Sequence, residues 1–158
     1  MKNEKNYLIV KTFGNKSADF VKCLLIRRKV FIEEQSIDEN IEADEHDAHS
    51  YHYMLLLDTS KEKQTPIGTA RWRNTDKGIK LERFAVLKEY RNKGYGTIIL
   101  DTILKDVLPL NKPIYLHAQD SAVQFYLKNG FTIEGSNFLE ANLKHYKMNY
   151  SNKEKAGK

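Results

Sequence analysis

Cysteine, proline and long apolar runs are scarce in this sequence, and each scarcity excludes a class of protein. The 158 residues include one cysteine, Cys23, and three prolines. A single cysteine rules out a disulfide within the chain and is typical of a reducing compartment, so we expect a cytoplasmic protein. No apolar stretch approaches the ~20 residues that a membrane-spanning helix needs. The opening residues, MKNEKNYLIVKTFG, hold too short an apolar core for a secretory signal, so we expect neither export nor a membrane partner.

The charge balance is basic, with a formal net charge of +5 at pH 7. Such a balance would suit nucleic acid, but it would equally suit a small polyanionic ligand. Because the sequence contains no RNA-stacking motif and no recognition-helix signature, we expect no nucleic-acid partner. The basic residues are concentrated only in residues 151–158, which lack large apolar side chains and are predicted to form a flexible charged tail.

Strand-like and helix-like patterns alternate over residues 6–150, which we predict to form a single domain. Strands are predicted at 7–13, 53–58, 66–73, 79–86, 113–118, 131–134 and 144–150, and helices at 17–35, 97–108 and 120–129. Short polar turns join the second, third and fourth strands, so these should be antiparallel. A helix joins the fourth strand to the fifth, so that pair should be parallel. The predicted class is α/β (α+β): a mixed, mostly antiparallel sheet with one parallel pair and helices on both faces.

A basic loop punctuated by glycines lies between the fourth predicted strand and the helix that follows it. It runs Arg91-Asn92-Lys93-Gly94-Tyr95-Gly96-Thr97. The first amides of a helix have no intrahelical acceptor, the helix dipole is positive there, and glycines let the backbone approach a ligand closely. Arg91 and Lys93 add positive charge. The loop is therefore predicted to bind an anion, and we interpret it as a pyrophosphate cradle.

Two motifs stand in this order of elements. Arg91-x-x-Gly94-x-Gly96 follows a strand that ends Phe84-Ala85-Val86, and residues 122–131, AVQFYLKNGF, combine a helical tyrosine with a Gly-Phe strand entry. Together they resemble the two hallmarks of the GNAT superfamily of acetyl-CoA-dependent N-acetyltransferases, and the resemblance covers roughly residues 6–150. The runs VFIEEQ at 30–35 and LHAQ at 116–119, with His145 in the last strand, are similar to the ElaA-like branch.

The resemblance implies acetyl-CoA as cosubstrate, no metal, and a small-molecule or peptide amine as acceptor. It implies that the strand ending Phe84-Ala85-Val86 splays from its parallel neighbour, pairs with the pantetheine arm and polarises the thioester carbonyl with an amide near Val86. The pyrophosphate would lie on the amides from Asn92 to Thr97, aided by Arg91 and Lys93. Gln119 and Tyr126 would complete the cofactor site. We expect a monomer or a homodimer.

Tyr126 is the candidate general acid, because the reference pKa of tyrosine, ~10, lies close to that of a leaving thiolate. The alternative for this residue is a tyrosine half-buried for packing. A base must also accept a proton from the attacking amine. The candidates, in order of preference, are Glu82 on the fourth strand, Glu34 at the end of the first helix, and His117 on the fifth strand.

The segment Asp44-Glu45-His46-Asp47-Ala48-His49 contains groups that bind divalent metals elsewhere. It has neither a helical His-x-x-x-His pair nor a thiolate partner, so we interpret it instead as an acidic lip that attracts cationic amines. Aromatic residues at strand positions could frame an acceptor pocket but are expected in the core: Tyr51, Tyr53, Trp72 and Phe138. The main alternative to an acetyltransferase is a non-catalytic CoA-binding regulatory module of the same fold.

Overall fold

The computed structural model describes residues 6–60 and 63–151, and its elements follow the order that the sequence predicts. The strands are β1 Tyr7–Phe13, β2 Tyr51–Ser60, β3 Lys63–Thr75, β4 Gly78–Val86, β5 Ile114–Gln119, β6 Phe131–Glu140 and β7 Leu143–Tyr150. The α-helices are α1 Ala18–Arg27, α2 Glu39–Glu42, α3 Tyr95–Val107 and α4 Val123–Lys128. The predicted flexible tail, apart from residue 151, lies outside the described residues.

One mixed sheet contains all seven of these strands, in the order β1-β2-β3-β4-β5-β7-β6. Every neighbouring pair is antiparallel except β4 and β5, which are parallel. The parallel pair is the one that the intervening helix predicts, because a crossover through α3 returns the chain in the same direction. The predicted mixed sheet with one parallel pair is therefore confirmed.

Local chemistry sets several boundaries of the elements. The Ser17 side chain accepts a hydrogen bond from the Phe20 amide at 3.0 Å and so caps α1. That helix continues as a π-helical segment, Arg28–Glu34, to the predicted end. The helix predicted from residue 120 begins only at Val123, because a 3-10 turn occupies Asp120–Ala122, and the residue before α4 provides no side-chain hydrogen bond.

The core lies on both faces of the sheet, and β2 shows why. Its Tyr53 and Leu55 pack in the cluster that includes α3, whereas the alternate residues Met54 and Leu56 pack in the cluster that includes α1. Cys23 belongs to the second cluster and is fully buried, so it fills core space. Among the described residues, no helix is long and apolar enough to cross a membrane.

The start of β4 depends on a glycine. Gly78 has φ +129°, and a Cβ at this position would collide with the carbonyl oxygen of Pro113. The next amide, that of Ile79, donates to the same carbonyl at 2.8 Å, so this close approach begins the parallel pairing of β4 with β5.

We expect Gly78→Ala to lower the free energy of unfolding clearly more than Gly135→Ala does. Gly135 also has positive φ, +78°, but a Cβ there would meet nothing within 4 Å, so it isolates the conformational cost, roughly 1–2 kcal/mol. The collision at Gly78 should add roughly 1–3 kcal/mol, the usual cost of overpacking. Urea unfolding of both variants measures the difference, and equal losses would contradict this account.

Candidate active site

The parallel strands β4 and β5 separate soon after they meet. They pair at three positions, Ile79 with Ile114, Lys80 with Tyr115 and Leu81 with Leu116, and not beyond. A bulge lies where they part, because the register of β4 against β3 shifts there and Arg83 has φ +59°. A bulge bends its strand. Beyond Leu81 and Leu116 the two strands therefore face a gap, which is the splay that the sequence resemblance implies.

The predicted phosphate loop ends in a helix N-terminus whose first amides have no intrahelical acceptor. Gly94 is the N-cap residue with φ +87° and offers no side-chain cap, and the Ile98 amide is the first to donate back, to the Gly94 carbonyl. The amides of Tyr95, Gly96 and Thr97 precede that bond, and these three residues line a cavity of about 400 Å³. Gly96 has a packing role as well, because a Cβ there would lie 3.3 Å from the Phe125 ring.

Arg91 is paired within the protein. Its Nε donates to the Val86 carbonyl at 2.8 Å, and its Nη1 and Nη2 donate to the Glu34 carboxylate at 3.0 and 2.7 Å. It therefore ties the phosphate loop to β4 and to the end of the first helix. The sequence predicted that Arg91 adds positive charge to the anion site. In the structure the Arg91 guanidinium is paired with the Glu34 carboxylate, which offsets that charge. Lys93 lies over the Tyr90 ring at 6.0 Å.

Tyr126, on α4, presents its hydroxyl to open space. Its side chain is 6% exposed and packs edge-on against the rings of Phe84, Phe125 and Phe131. No described residue hydrogen-bonds the Tyr126 hydroxyl. Every fully buried side-chain oxygen among the described residues has a partner, so this hydroxyl oxygen is not fully buried and reaches a cavity. Burial raises the pKa of Tyr126, which keeps the phenol protonated at neutral pH.

Two adjoining cavities form a continuous groove. The larger, about 580 Å³, lies over the gap between β4 and β5, and the smaller reaches the amides of α3. Both are lined by Phe84, Ala85, Val86, Arg91, Ala122 and Tyr126. A ligand bound at the helix amides can therefore extend past the free edge of β4 to the Tyr126 hydroxyl. The predicted cofactor residues on β4 and α4 line this groove, and so do those of the loop except Lys93, which lines neither cavity.

Glu82, the preferred base from sequence, lies in the larger cavity but is held by cations. Its Oε1 accepts from Arg71 Nη2 at 2.8 Å and from Arg73 Nε at 2.7 Å, and its Oε2 lies 3.2 Å from Lys80 Nζ. Burial raises the pKa of this carboxyl, but the hydrogen bond from Arg73 and the nearby positive charges outweigh burial and bring the pKa well below its usual range. A carboxylate so stabilised is a weak base. Glu34, the second candidate, is paired with Arg91.

A histidine and a glutamate from different strands meet at the opposite side of the larger cavity. His117 Nδ1 lies 3.0 Å from Glu140 Oε1, and Nε2 of His145 lies 3.8 Å from Glu140 Oε2. All three residues line the cavity that Tyr126 also lines. Sequence reasoning missed Glu140, because the residues of β6 alternate too little in polarity to predict a strand that reaches it. His145 could have been found, because it pairs with Gln119 and so shares a face with His117.

The remaining predicted residues have structural partners. Gln119 donates to the Gln35 side chain at 2.8 Å, which links β5 to the end of the first helix beside the larger cavity. Tyr53 is in the core, where its hydroxyl donates to Asp106 at 2.6 Å and accepts from Trp72. Phe138 packs against the rings of both His117 and His145.

The acidic segment 44–49 is neutralised by arginines. Asp47 is buried and contacts Arg27 at 2.8 Å and Arg71 at 2.6 Å, and Asp44 contacts Arg71 and Arg83. The Asp44 and Asp47 carboxylates are therefore members of structural ion pairs, which does not support the interpretation of the segment as an acidic lip for cationic amines. Within the described ranges, no group of three or more metal-ligating side chains could hold a metal ion.

We expect Asp47→Asn to lower the free energy of unfolding by roughly 3–5 kcal/mol, because it removes the carboxylate that the buried Arg27 and Arg71 share and leaves their charges less fully compensated. Burial opposes ionisation of Asp47, but the two arginines outweigh it, so its folded pKa lies below the ordinary value of 3.8. The stabilisation is present above that value and is lost as pH falls through the folded pKa.

Urea unfolding between pH 7 and pH 3 measures this dependence, which should be shallower in Asp47→Asn than in the unmodified protein. Glu39→Gln is the matched control, because Glu39 pairs with Arg28 at the exposed surface. A surface pair contributes about 0–1 kcal/mol. A loss in Asp47→Asn no larger than that of the control would contradict the role of the buried pair.

Comparison with known proteins agrees with this geometry. The sequence profile of the acetyltransferase (GNAT) domain matches residues 13–152. An uncharacterized N-acetyltransferase of Bacillus subtilis, YjcF, is 36% identical over 125 residues, which are 78% of this chain and 86% of the relative.

Solved structures show the same fold at lower identity. Escherichia coli ElaA superposes with a TM-score of 0.78 at 20% identity, over 92% of this chain and 99% of that one. An acyl-CoA N-acyltransferase from Pseudomonas aeruginosa superposes with a TM-score of 0.79 at 20% identity, also over 92% and 99%. With the profile match spanning most of the chain, the family predicted from the two motifs is confirmed: this protein belongs to the GNAT acetyltransferase family.

Proposed function

We propose that the protein is an N-acetyltransferase that transfers the acetyl group of acetyl-CoA to a primary amine by direct attack in a ternary complex. The observation that carries the proposal is the continuous groove from the free amides of α3, along the unpaired edge of β4, to the Tyr126 hydroxyl. Its course matches the order of parts in the cosubstrate: a pyrophosphate, a pantetheine arm with amides, and a reactive thioester.

Cosubstrate binding would rest mainly on backbone groups. The amides of Tyr95, Gly96 and Thr97 would hold the pyrophosphate, because unpaired helix amides and the positive end of the helix dipole favour an anion. The free edge of residues 84–86 would pair with the pantetheine arm as a further strand does. An amide near Val86 would polarise the thioester carbonyl. An oxyanion donor of this kind lowers the activation free energy by roughly 3 kcal/mol.

Transfer needs two proton movements that side chains of this groove can supply. The amine nitrogen attacks the thioester carbon, the C–N bond forms and the C–S bond breaks. Tyr126 donates its phenolic proton to the departing sulfur, and its raised pKa means that the phenol carries this proton at neutral pH. The nitrogen gives up its proton to a base on the acceptor side.

We propose His117 as that base, in preference to Glu82 and Glu34. Imidazole accepts a proton near neutral pH, whereas Glu82 is stabilised as a carboxylate by three cations and Glu34 by Arg91. Glu140 would accept the hydrogen bond of Nδ1–H, which leaves the lone pair of His117 on Nε2. Glu140 is thus a positioning residue. The hydrogen bond from His117 lowers the pKa of Glu140, so the carboxylate is ionised at neutral pH.

The proposal extends to the setting in which the enzyme works. The single cysteine is buried in the core, and burial raises the pKa of its thiol, so it is poorly reactive. This is consistent with the predicted cytoplasmic location. Monomer or homodimer remains a prediction.

The first test is release of free CoA thiol from acetyl-CoA, followed with a thiol reagent, across a panel of primary amines. We expect release with at least one class of amine, and calorimetry should detect binding of CoA. If CoA binds but no amine releases thiol, the non-catalytic CoA-binding module is the better description. If neither occurs, the proposal fails.

Tyr126→Phe should lower kcat by roughly 10²–10⁴-fold and change the KM for acetyl-CoA much less, because it removes the proton donor and keeps the ring. Tyr146→Phe is the matched control, since Tyr146 is a half-buried tyrosine on β7 outside both cavities. A rise in KM with kcat unchanged would assign Tyr126 to binding instead.

His117→Asn should lower kcat and abolish the acidic limb of the pH–rate profile, because that limb would report protonation of the base. Glu140→Gln should lower kcat without raising the KM for acetyl-CoA, and Glu140→Asp should restore part of the rate. Retention of the acidic limb in His117→Asn would exclude the imidazole as the base.

A further inference from the structure

Nine charged side chains form one connected network beside the larger cavity. The network contains Arg27, Glu42, Asp44, Asp47, Arg71, Arg73, Lys80, Glu82 and Arg83. Five of these side chains are cations and four are carboxylates.

The cations have the fewest carboxylate partners at the Arg73 and Lys80 end of the network. Arg27 and Arg71 are fully buried, and each contacts two or more carboxylates. Arg73 and Lys80, by contrast, share the single carboxylate of Glu82, which already accepts from Arg71. One carboxylate, that of Glu82, is thus shared by three cations.

Both of these cations have donors left for a ligand. Arg73 contacts Glu82 through Nε and Nη2, so its Nη1 can donate to a ligand. The Lys80 ammonium has three N–H donors and contacts the Glu82 carboxylate, so it too can donate to a ligand. Their side chains are 17% and 14% exposed, and both residues line the larger cavity. Glu140, another carboxylate of the cavity wall, is engaged by His117 and is 44% exposed, and the hydrogen bond from His117 and the charge of Lys80 both lower its pKa. Spare donors in a partly desolvated wall favour an anion.

We propose that the acceptor carries a carboxylate besides its amine, and that Arg73 and Lys80 bind this carboxylate. The inference rests on the proposed function, because it assigns the acceptor side of the same cavity. Glu82 is then the shared counter-ion that holds the two cations side by side.

The sheet register gives the spacing of the two acceptor groups. Lys80 pairs with Tyr115 on β5, and His117 lies two residues further along the same strand and on the same face. Two strand residues span roughly 7 Å. The acceptor therefore carries its amine near His117 and its carboxylate several bonds away, as in an ω-amino acid or a larger amino acid with an amine in its side chain.

The test compares each ω-amino acid from 3-aminopropanoate to 6-aminohexanoate with its own carboxamide, which has the same length but no negative charge. We expect kcat/KM to favour the acid over the carboxamide by roughly 10–100-fold for at least one length, the effect of a charge-assisted hydrogen bond. Equal rates for acid and carboxamide at every length would overturn the inference and leave the proposed acetyltransferase intact.

Lys80→Met and Arg73→Leu should each reduce this acid-to-carboxamide ratio toward one. The ratio is measured within one variant, so a lower folded fraction cancels. Lys112→Met is the matched control, because Lys112 is an exposed lysine that contacts Asn74 outside both cavities, and it should leave the ratio unchanged. A ratio that survives in Lys80→Met and Arg73→Leu would overturn the inference.

A binding measurement decides the case in which no amine is acetylated. Calorimetry in the presence of CoA should detect binding of pentanoate and not of pentanamide, and the signal should be lost in Lys80→Met. Absence of thiol release from every amine would then count against the proposed function, whereas absence of pentanoate binding would count against the carboxylate site.

Discussion

The early separation of β4 from β5 is the constraint on which the rest of the site depends. A parallel pair that continued in register would use the edge groups of both strands in its own ladder and leave no opening. Here the ladder stops after three positions, and the bulge at Arg83 bends β4 at that point. The groove, the hydroxyl of Tyr126 and the imidazole of His117 all lie around the opening that results.

The buried ion network holds this bulge in place. Arg83 contacts the Glu42 and Asp44 carboxylates, and Arg71, on the neighbouring strand, contacts Asp44 and Asp47. The segment between the first helix and β2 is thereby attached to both strands beside the opening. Such a network adds little net stability over an apolar core, but it is costly to disrupt. We infer that its acidic members shape the cavity rather than attract the amine.

Much of the fold follows from local sequence chemistry, and much of the site does not. The bounds of β1 and the Ser17 cap were predictable, because periodicity and capping depend on residues near in sequence. The glycine loop and Tyr126 were predictable from short motifs. The partners of the site residues were not predictable. Arg91 pairs with Glu34, 57 residues away in sequence, and Glu140 on β6 contacts His117 on β5, with β7 between the two strands. Those pairings change which group can accept a proton, and they depend on sheet order and register.

The contact between Gly96 and Phe125 has a consequence for how the two ends of the groove behave. Gly96 is in the first turn of α3, and Phe125 precedes Tyr126 on α4. With only a hydrogen atom on Gly96, the helix end rests directly on the aromatic ring. No loop or solvent layer separates the amides that would receive a diphosphate from the helix that carries the phenol. A side chain larger than hydrogen at position 96 would therefore press on the ring that precedes the phenol in sequence, so the two ends of the groove meet at this contact.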